Sequence, residues 1–529
     1  MESKNNRINR RQMLKTSLMV GTGFVGASSL WDEGALGMPK RSTFRQSWGR
    51  PLVPWGVQLG DITPHGLTLW SASDQPAEML VEVADNIAFQ RAMRFSSGMA
   101  LDAQDYTTRV NIQGLPSADL LHYRVTFRSL HSAFTSEPFE GTIRPLAANP
   151  SRLRFCFSGD TAGQGWGINP EFGGMRLYDA ILRRQPDFFV HCGDCIYADG
   201  PMTSEVVLDD GRVWKNVVTE AKSKVAESLQ EYRGNYQYNL LDENVRKFNA
   251  QIPQIVQWDD HETVNNWYPQ ELLDDSRYTE KSLAVLSSRA QQAFLEYAPI
   301  NPLWAGQKQI YRSFSYGSLL ELFLIDLRSY RGPNSPNRQT NQSPETDFMG
   351  LTQLEWLKRS LAASQATWKV ISSDMPLGLV VPDGPSDQEG WANGDGPAMG
   401  RELELAELLQ FIMEQNIRNV VWITADVHYA AAHHYQPAKA QFKNFKPFWE
   451  FVSGPLHAGT FGPNTLDNTF GPEVKWKGIP DGLKANRSPL DGYQFFGEIE
   501  VNAETGKMMV KQFNGRSEEV FSMELEAEQ

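Results

Sequence analysis

Six apolar runs in this chain each end on a carboxylate. "LRFCFSGDTAG" (Leu153–Gly163) delivers Asp160, and "DFFVHCGDCIY" (Asp187–Tyr197) delivers Asp194 with Tyr197 three residues later. "PQIVQWDDHE" (Pro253–Glu262) ends in Asp259, Asp260 and His261; "ELFLIDLRSYR" (Glu321–Arg331) ends in Asp326, with Arg328 and Arg331 beyond it. "WKVISSDMPLG" (Trp368–Gly378) carries Asp374, and "NVVWITADVH" (Asn419–His428) carries Asp426 and His428. Carboxylates that converge repel one another unless a cation lies among them. Asp, His and Tyr together make the donor set of a metal site rich in hard oxygen ligands. Any one of these aspartates alone reads more readily as a helix N-cap just past a strand than as a ligand. Six of them, with a tyrosine and two histidines, point to metal.

The elements that position these residues alternate between strand and helix. "GGMRLYDAILRR" (Gly173–Arg184) places Leu177, Tyr178, Ile181 and Leu182 on one helical face. "LTQLEWLKRSLAAS" (Leu351–Ser364) has Thr352 with Glu355 three residues on, the pattern of a capping box. "RELELAELLQFIMEQN" (Arg401–Asn416) aligns Leu405, Leu408, Leu409 and Ile412. Such alternation predicts an α/β fold, in which ligands bind beyond the carboxyl ends of the strands. The tips should therefore meet.

Ahead of this region the rhythm is different. "LTLWSAS" (Leu67–Ser73), "MLVEVAD" (Met79–Asp85), "YTTRVNIQGL" (Tyr106–Leu115) and "LHYRVTF" (Leu121–Phe127) alternate with period two and predict a β-sandwich. "GLPSADLLHYRV" (Gly114–Val125) resembles a fibronectin type III corner, and "LAANPSRLR" (Leu146–Arg154) reads as a linker. We expect a leader at 1–37, a sandwich domain at 45–147 and a catalytic domain at 151–529. The leader contains Arg10-Arg11 followed by Leu14-Lys15, then a weakly apolar stretch too short to span a membrane. It resembles a twin-arginine export signal, which implies the twin-arginine translocase as a partner and a periplasmic or secreted protein. Nothing later has a long uncharged apolar run, so an integral membrane protein is not expected. A formal net charge of −13 argues against a nucleic-acid grip. Three cysteines are too few for a disulfide scaffold, and "CGDC" (Cys192–Cys195) reads better as neighbours of Asp194 than as a redox pair.

The tips in this order resemble the calcineurin-like metallophosphoesterases, and most closely the PhoD-type alkaline phosphatases, which are related to purple acid phosphatases. "GDCIY" matches the family's Gly-Asp-x-x-Tyr; "WDDHE" stands where relatives have Gly-Asn-His-Glu; "ADVH" stands where many have Gly-His-x-His; "FVSGPLHAGTFGP" (Phe451–Pro463) looks like a late PhoD-type segment. The resemblance implies two packed sheets flanked by helices, behind a fibronectin/Ig-like sandwich. It implies a binuclear or larger metal centre in which Asp194 bridges, Asp160, Tyr197 and His428 complete one site, and Asp260, Asp374 and Asp426 build the other. Phenolate and imidazole suit ferric iron; the all-carboxylate site suits calcium, with other divalent metals as alternatives. The better-known members carry a cysteine where this chain has Asp160, and Cys156 falls earlier in the strand. The resemblance further implies hydrolysis of small phosphorylated organic substrates by activated water, with His261 protonating the leaving alkoxide or held by Glu262. Arg328 would grip phosphate or pair with Asp326, and His434 and His457 would line the pocket. "WANGDGPAMG" (Trp391–Gly400) would be a covering loop. Monoesterase, diesterase and phospholipase D-like activities remain open at this point, as does a non-catalytic metal-stabilised binding protein.

Overall fold

A computed structural model describes residues 49–528. The twin-arginine segment lies outside the described residues. The strands behind the tips are buried on both faces, which is why they read as unbroken apolar runs rather than alternating ones. Arg152–Ser158, Phe188–Cys192 and Gln254–Gln257 pair in parallel within a nine-stranded sheet. Leu320–Leu324, Trp368–Ser372, Val420–Thr424 and Phe448–Val452 pair in parallel within a seven-stranded one. Successive side chains take opposite faces. Phe155, Phe157, Val190 and Ile255 from the first sheet meet Leu322, Leu324, Val370, Val421 and Ile423 from the second in one core. Cys156, Phe189 and Val256 point outward under a layer that includes Arg176–Arg184 and Leu283–Tyr297. Phe323, Ile371 and Trp422 lie under Leu351–Ala363 and Glu402–Glu414. The order is helix, sheet, sheet, helix, as strand–helix alternation predicts.

Two helix details differ from expectation. Leu351–Ala363 starts one residue before Thr352, with Gly350 at its N-cap (φ 73°) and no side-chain cap, so there is no capping box; Glu355 instead accepts from Lys358 Nζ at 2.8 Å. In the helix Arg176–Arg184, Ala180 rather than Leu182 completes the buried face.

The N-terminal strands form two sheets. Met93–Ala100, Ala77–Ala84, Leu121–Ser129 and Phe139–Ile143 make one of four strands. Val57–Thr63, Gly66–Ala72 and Thr107–Gln113 make the facing layer, and they extend the nine-stranded sheet through a single parallel pair, Gly60 with Gln254. The join is reinforced by buried polar contacts. Arg312 Nη2 donates to Asp61 Oδ1 at 2.9 Å, Trp70 Nε1 to the Glu296 carbonyl at 2.7 Å, and the Tyr297 hydroxyl to Asp105 at 2.6 Å. Among the described residues, no helix is long and apolar enough to cross a membrane.

Candidate metal centre

Three of the six tips leave their strands through a backbone conformation that a ladder cannot continue. Asp160 (φ 66°), Asp194 (φ 52°), Asp426 (φ 64°) and His428 (φ 60°) all occupy the left-handed region. Asp, Asn and His tolerate it better than other side chains, and local strain of this kind gathers at functional sites. The turn swings each carboxylate over the strand end. Two glycines permit the crowding. A Cβ on Gly193 (φ 113°) would lie 2.6 Å from Asp259 Cβ, and one on Gly454 would lie 2.2 Å from Asp160 Oδ2.

The tips meet. Donor atoms of Asp160, Asp194 and His428 lie within 4.8 Å of one another; so do those of Asp194, Asp260 and His261, and those of Asp259, Asp260 and Asp426. Asp194 joins the first two groups and Asp260 the last two. His428 Nε2 is 3.6 Å from Asp160 Oδ1 and 2.7 Å from the Tyr197 hydroxyl, while its Nδ1 is held by the Gly459 carbonyl at 2.5 Å. That second contact fixes the tautomer and leaves Nε2 facing the carboxylates. Asp374 belongs to none of the three groups: Oδ1 accepts from Met375 N at 2.9 Å and Oδ2 has no partner.

The donor set fits a metal on its own chemistry. Both oxygens of Asp160, Oδ2 of Asp259, Oδ1 of Asp260 and Oδ2 of Asp374 are buried without a hydrogen-bond donor, an arrangement native interiors rarely leave unsatisfied. Burial pushes the acids of Asp160, Asp194, Asp259 and Asp426 well above the usual carboxylate range, and like charges nearby add to it. Asp374 is pushed up to about 7, again by burial, against the pull of Arg328. Only Asp260 falls: burial is outweighed by His261, Arg328 and the backbone N–H groups of Asn266 and His261. Burial also raises the Tyr197 phenol and lowers His428 to about 4, so this imidazole is neutral and can donate a lone pair. Cations among these oxygens would remove the repulsion and complete their coordination.

His261 is placed differently. Its Nδ1 pairs with Asp199 Oδ1 at 2.8 Å, its ring packs on Tyr197 with centroids 4.2 Å apart, and its Nε2 lies 4.0 Å from Asp260 Oδ1. Burial works against its charge, but Asp199 and Asp260 prevail and raise it to about 10. Glu262 does not hold it: that carboxylate accepts from the backbone N–H groups of Cys195 (2.5 Å) and Asp259 (2.8 Å), tying two tips together. Arg328 is fully buried, and its guanidinium does not pair with Asp326. Its Nε and Nη2 lie 2.6 and 2.5 Å from Asp259 Oδ1, its Nη1 contacts Glu389, and only its backbone N–H reaches Asp326. Asp259 and Glu389 thus occupy opposite sides of the guanidinium. His457 is buried near the centre, its backbone N–H on the Asp160 carbonyl, whereas His434 stacks on Trp449. The loop at Trp391–Gly400 is tied to Asp467 through Asn393 N and Gly394 N. Cys192 packs between the sheets near Ser372, Cys195 Sγ lies 3.7 Å from the Gln257 carbonyl, and all three cysteines are free.

A search of family models matches residues 155–512 to PhoD-like phosphatase and residues 38–146 to the PhoD-like phosphatase N-terminal domain. The chain belongs to the PhoD-like phosphatase family. It is 27% identical over 492 residues to alkaline phosphatase D of Bacillus subtilis, covering 88% of this chain and 79% of that protein. A solved structure of PhoD superposes with a TM-score of 0.65 at 21% identity, over 90% of this chain and 92% of that one. A purple acid phosphatase from yellow lupin seeds gives 0.56 at 13% identity, over 90% and 74%. These two show the shared fold. The chain is therefore a PhoD-like phosphoric ester hydrolase, and the carboxylate groups at its strand tips are where a metal centre fits. Sequence reading of this PhoD-like chain left Asp199, Glu389 and Lys222 without a role and gave Asp259 none beyond its place at a tip. Lys222, buried behind Tyr197, donates to that residue's carbonyl at 2.7 Å and is depressed to about 7 by burial. Asp199 had a signal in hindsight: it follows Asp194 in the same loop, "GDCIYAD".

Proposed function

We propose that this enzyme is an exported alkaline phosphatase acting on small phosphate mono- and diesters in the cell envelope, delivered by the twin-arginine route that Arg10-Arg11 resembles. The division into a sandwich at 45–147 and a catalytic domain at 151–529 is part of that proposal. The observation that carries the reading is that Asp194 and Asp260 each belong to two adjoining groups of candidate ligand atoms, in which oxygens of Asp160, Asp259 and Asp260 are buried without a hydrogen-bond partner.

Asp194 would bridge, with Asp160, Tyr197 and His428 on one side and Asp260, Asp374 and Asp426 on the other. Bound metals would polarise the phosphoryl oxygens and lower the pKa of the attacking water. The chain's own contribution to proton transfer is His261. Asp199 fixes Nδ1, so Nε2 is the atom that faces Asp260 and the reacting ester, and it delivers a proton to the leaving alkoxide. The Tyr197 ring shields one face of the imidazole. We assign ferric iron to the Tyr197 side and calcium to the carboxylate side, because phenolate with imidazole suits the first and oxygen alone suits the second.

The test pairs a visible spectrum of exported protein with elemental analysis and assays on p-nitrophenyl phosphate and bis(p-nitrophenyl) phosphate. A tyrosinate-to-iron absorption band, lost with activity in Tyr197→Phe, is expected. A colourless active enzyme would discard iron, and stoichiometric zinc would discard calcium.

A further inference from the structure

Asp259 stands between the metal groups and a buried cluster of arginines. Its Oδ1 accepts from Arg328 Nε and forms an ion pair with Nη2, while Oδ2 has no hydrogen-bond partner, and the residue offers an oxygen to the group with Asp260 and Asp426. On its other side Arg328 contacts Glu389 through Nη1. Glu389 is itself gripped: Arg331 Nη1 lies 3.7 Å from its carboxylate, and its carbonyl accepts from Arg331 Nη2 at 2.6 Å and Arg401 Nη1 at 2.8 Å. The Phe348 ring lies against both, 4.7 Å from Arg331 Cζ and 5.1 Å from Arg401 Cζ. Arg328, Asp259 and Glu389 are each no more than 1% exposed.

We propose that Glu389 is a positioning residue for the metal centre: acting through Arg328, it turns Asp259 so that Oδ2 serves as a further ligand beside Asp260 and Asp426. This rests on the metallophosphoesterase reading above. A planar guanidinium offers its donors in a fixed fork. With one edge on Asp259 and the opposite nitrogen on Glu389, it cannot rotate without breaking a charged contact in the interior, where such contacts are strongest. The carboxylate of Asp259 is thereby held with one oxygen engaged and the other free. The segment Gln388–Gly390 is anchored by Arg401 as well, so Glu389 is held from outside the centre.

The experiment is calorimetric titration of chelator-stripped full-length protein with CaCl2 and with MnCl2. It is run on the parent, Asp259→Asn, Glu389→Gln and Arg328→Lys, alongside kcat and KM on bis(p-nitrophenyl) phosphate at saturating metal. Glu389→Gln keeps shape and loses charge; Arg328→Lys keeps charge and loses the fork, and serves if the first fails to fold. The expected result is one ion lost, or bound at least tenfold more weakly, in all three variants, with kcat reduced and KM little changed. Glu389→Asp, which restores the charge, should recover most of the affinity. A purely structural role would lower the melting temperature of the metal-free chain while leaving ion affinity of the folded protein intact, and that result overturns the proposal. If the parent takes up neither ion, the metal reading itself fails, whatever the variants do.

Discussion

Replacing Asp374 with asparagine should stabilise the metal-free chain and weaken the metal-loaded one. Burial raises this carboxyl from the ordinary 3.8 to about 7. A carboxyl whose folded pKa is raised costs nothing where both states are protonated, below about pH 4. The cost grows as pH rises through that interval, because the unfolded chain ionises first, and it is complete above pH 7. Three units at about 1.36 kcal/mol each amount to about 4 kcal/mol at pH 8. The amide removes that cost, and its Oδ1 can still accept from Met375 N. For roughly 480 described residues, with an unfolding entropy of about 2.1 cal/mol/K per residue, 4 kcal/mol corresponds to about 4 °C. Calorimetry of chelator-stripped protein should therefore show Asp374→Asn melting about 4 °C above the parent at pH 8 and level with it at pH 4. With calcium restored the order should reverse, because a neutral amide is a poorer ligand than a carboxylate. Equal melting temperatures at pH 8, or a gain of the same size at pH 4, would refute the electrostatic argument and leave only a packing effect.

Two other substitutions probe separate parts of the molecule. Asp199→Asn removes the strongest influence raising His261, so the imidazolium form should be lost at lower pH; the alkaline limb of the kcat/KM profile should move down and activity at pH 9 fall by about 10²–10³. An unmoved limb would remove His261 as the proton donor. Arg312→Met leaves Asp61 charged and unpaired in the interior and should cost about 3–5 kcal/mol in urea denaturation, most of it recovered by adding Asp61→Asn, with kcat of the folded protein unchanged.

The tips were legible in the sequence because a strand buried on both faces is written as an uninterrupted apolar run, and a carboxylate at its end stands out. "FFVHC" and "VVWIT" are such strands, and Asp194 and Asp426 follow them at once. What sequence could not give was partnership. The type and burial of Arg328 follow from its place after a tip, but Glu389, its second partner, comes from a distant loop that only the folded chain brings near. The capping-box pattern at Thr352 failed by two residues, because Gly350 is the N-cap and turns the chain into the helix before the threonine can cap it. The junction between the N-terminal strands and the larger sheet was also silent, since one bridge at Gly60 leaves no trace in the hydrophobic pattern.

The metal preference proposed above turns on which nitrogens lie beside each group of carboxylates. Zinc sites in proteins draw on imidazole or thiolate, and calcium takes oxygen. Near Asp260 the imidazole at hand is His261, whose Nδ1 pairs with Asp199 Oδ1 at 2.8 Å, which leaves Nε2 as its nitrogen on the side of Asp260. His428, neutral and with Nε2 turned toward Asp160, is the nitrogen free to bind, and it sits on the Tyr197 side. The thiols are poor thiolate donors: burial raises Cys192 to about 12 and Cys195 well above its ordinary value, and both lie among carboxylates that oppose the thiolate. On the ligand assignment proposed above, a cation on the second side would meet carboxylate oxygen, the donor set that suits calcium over zinc.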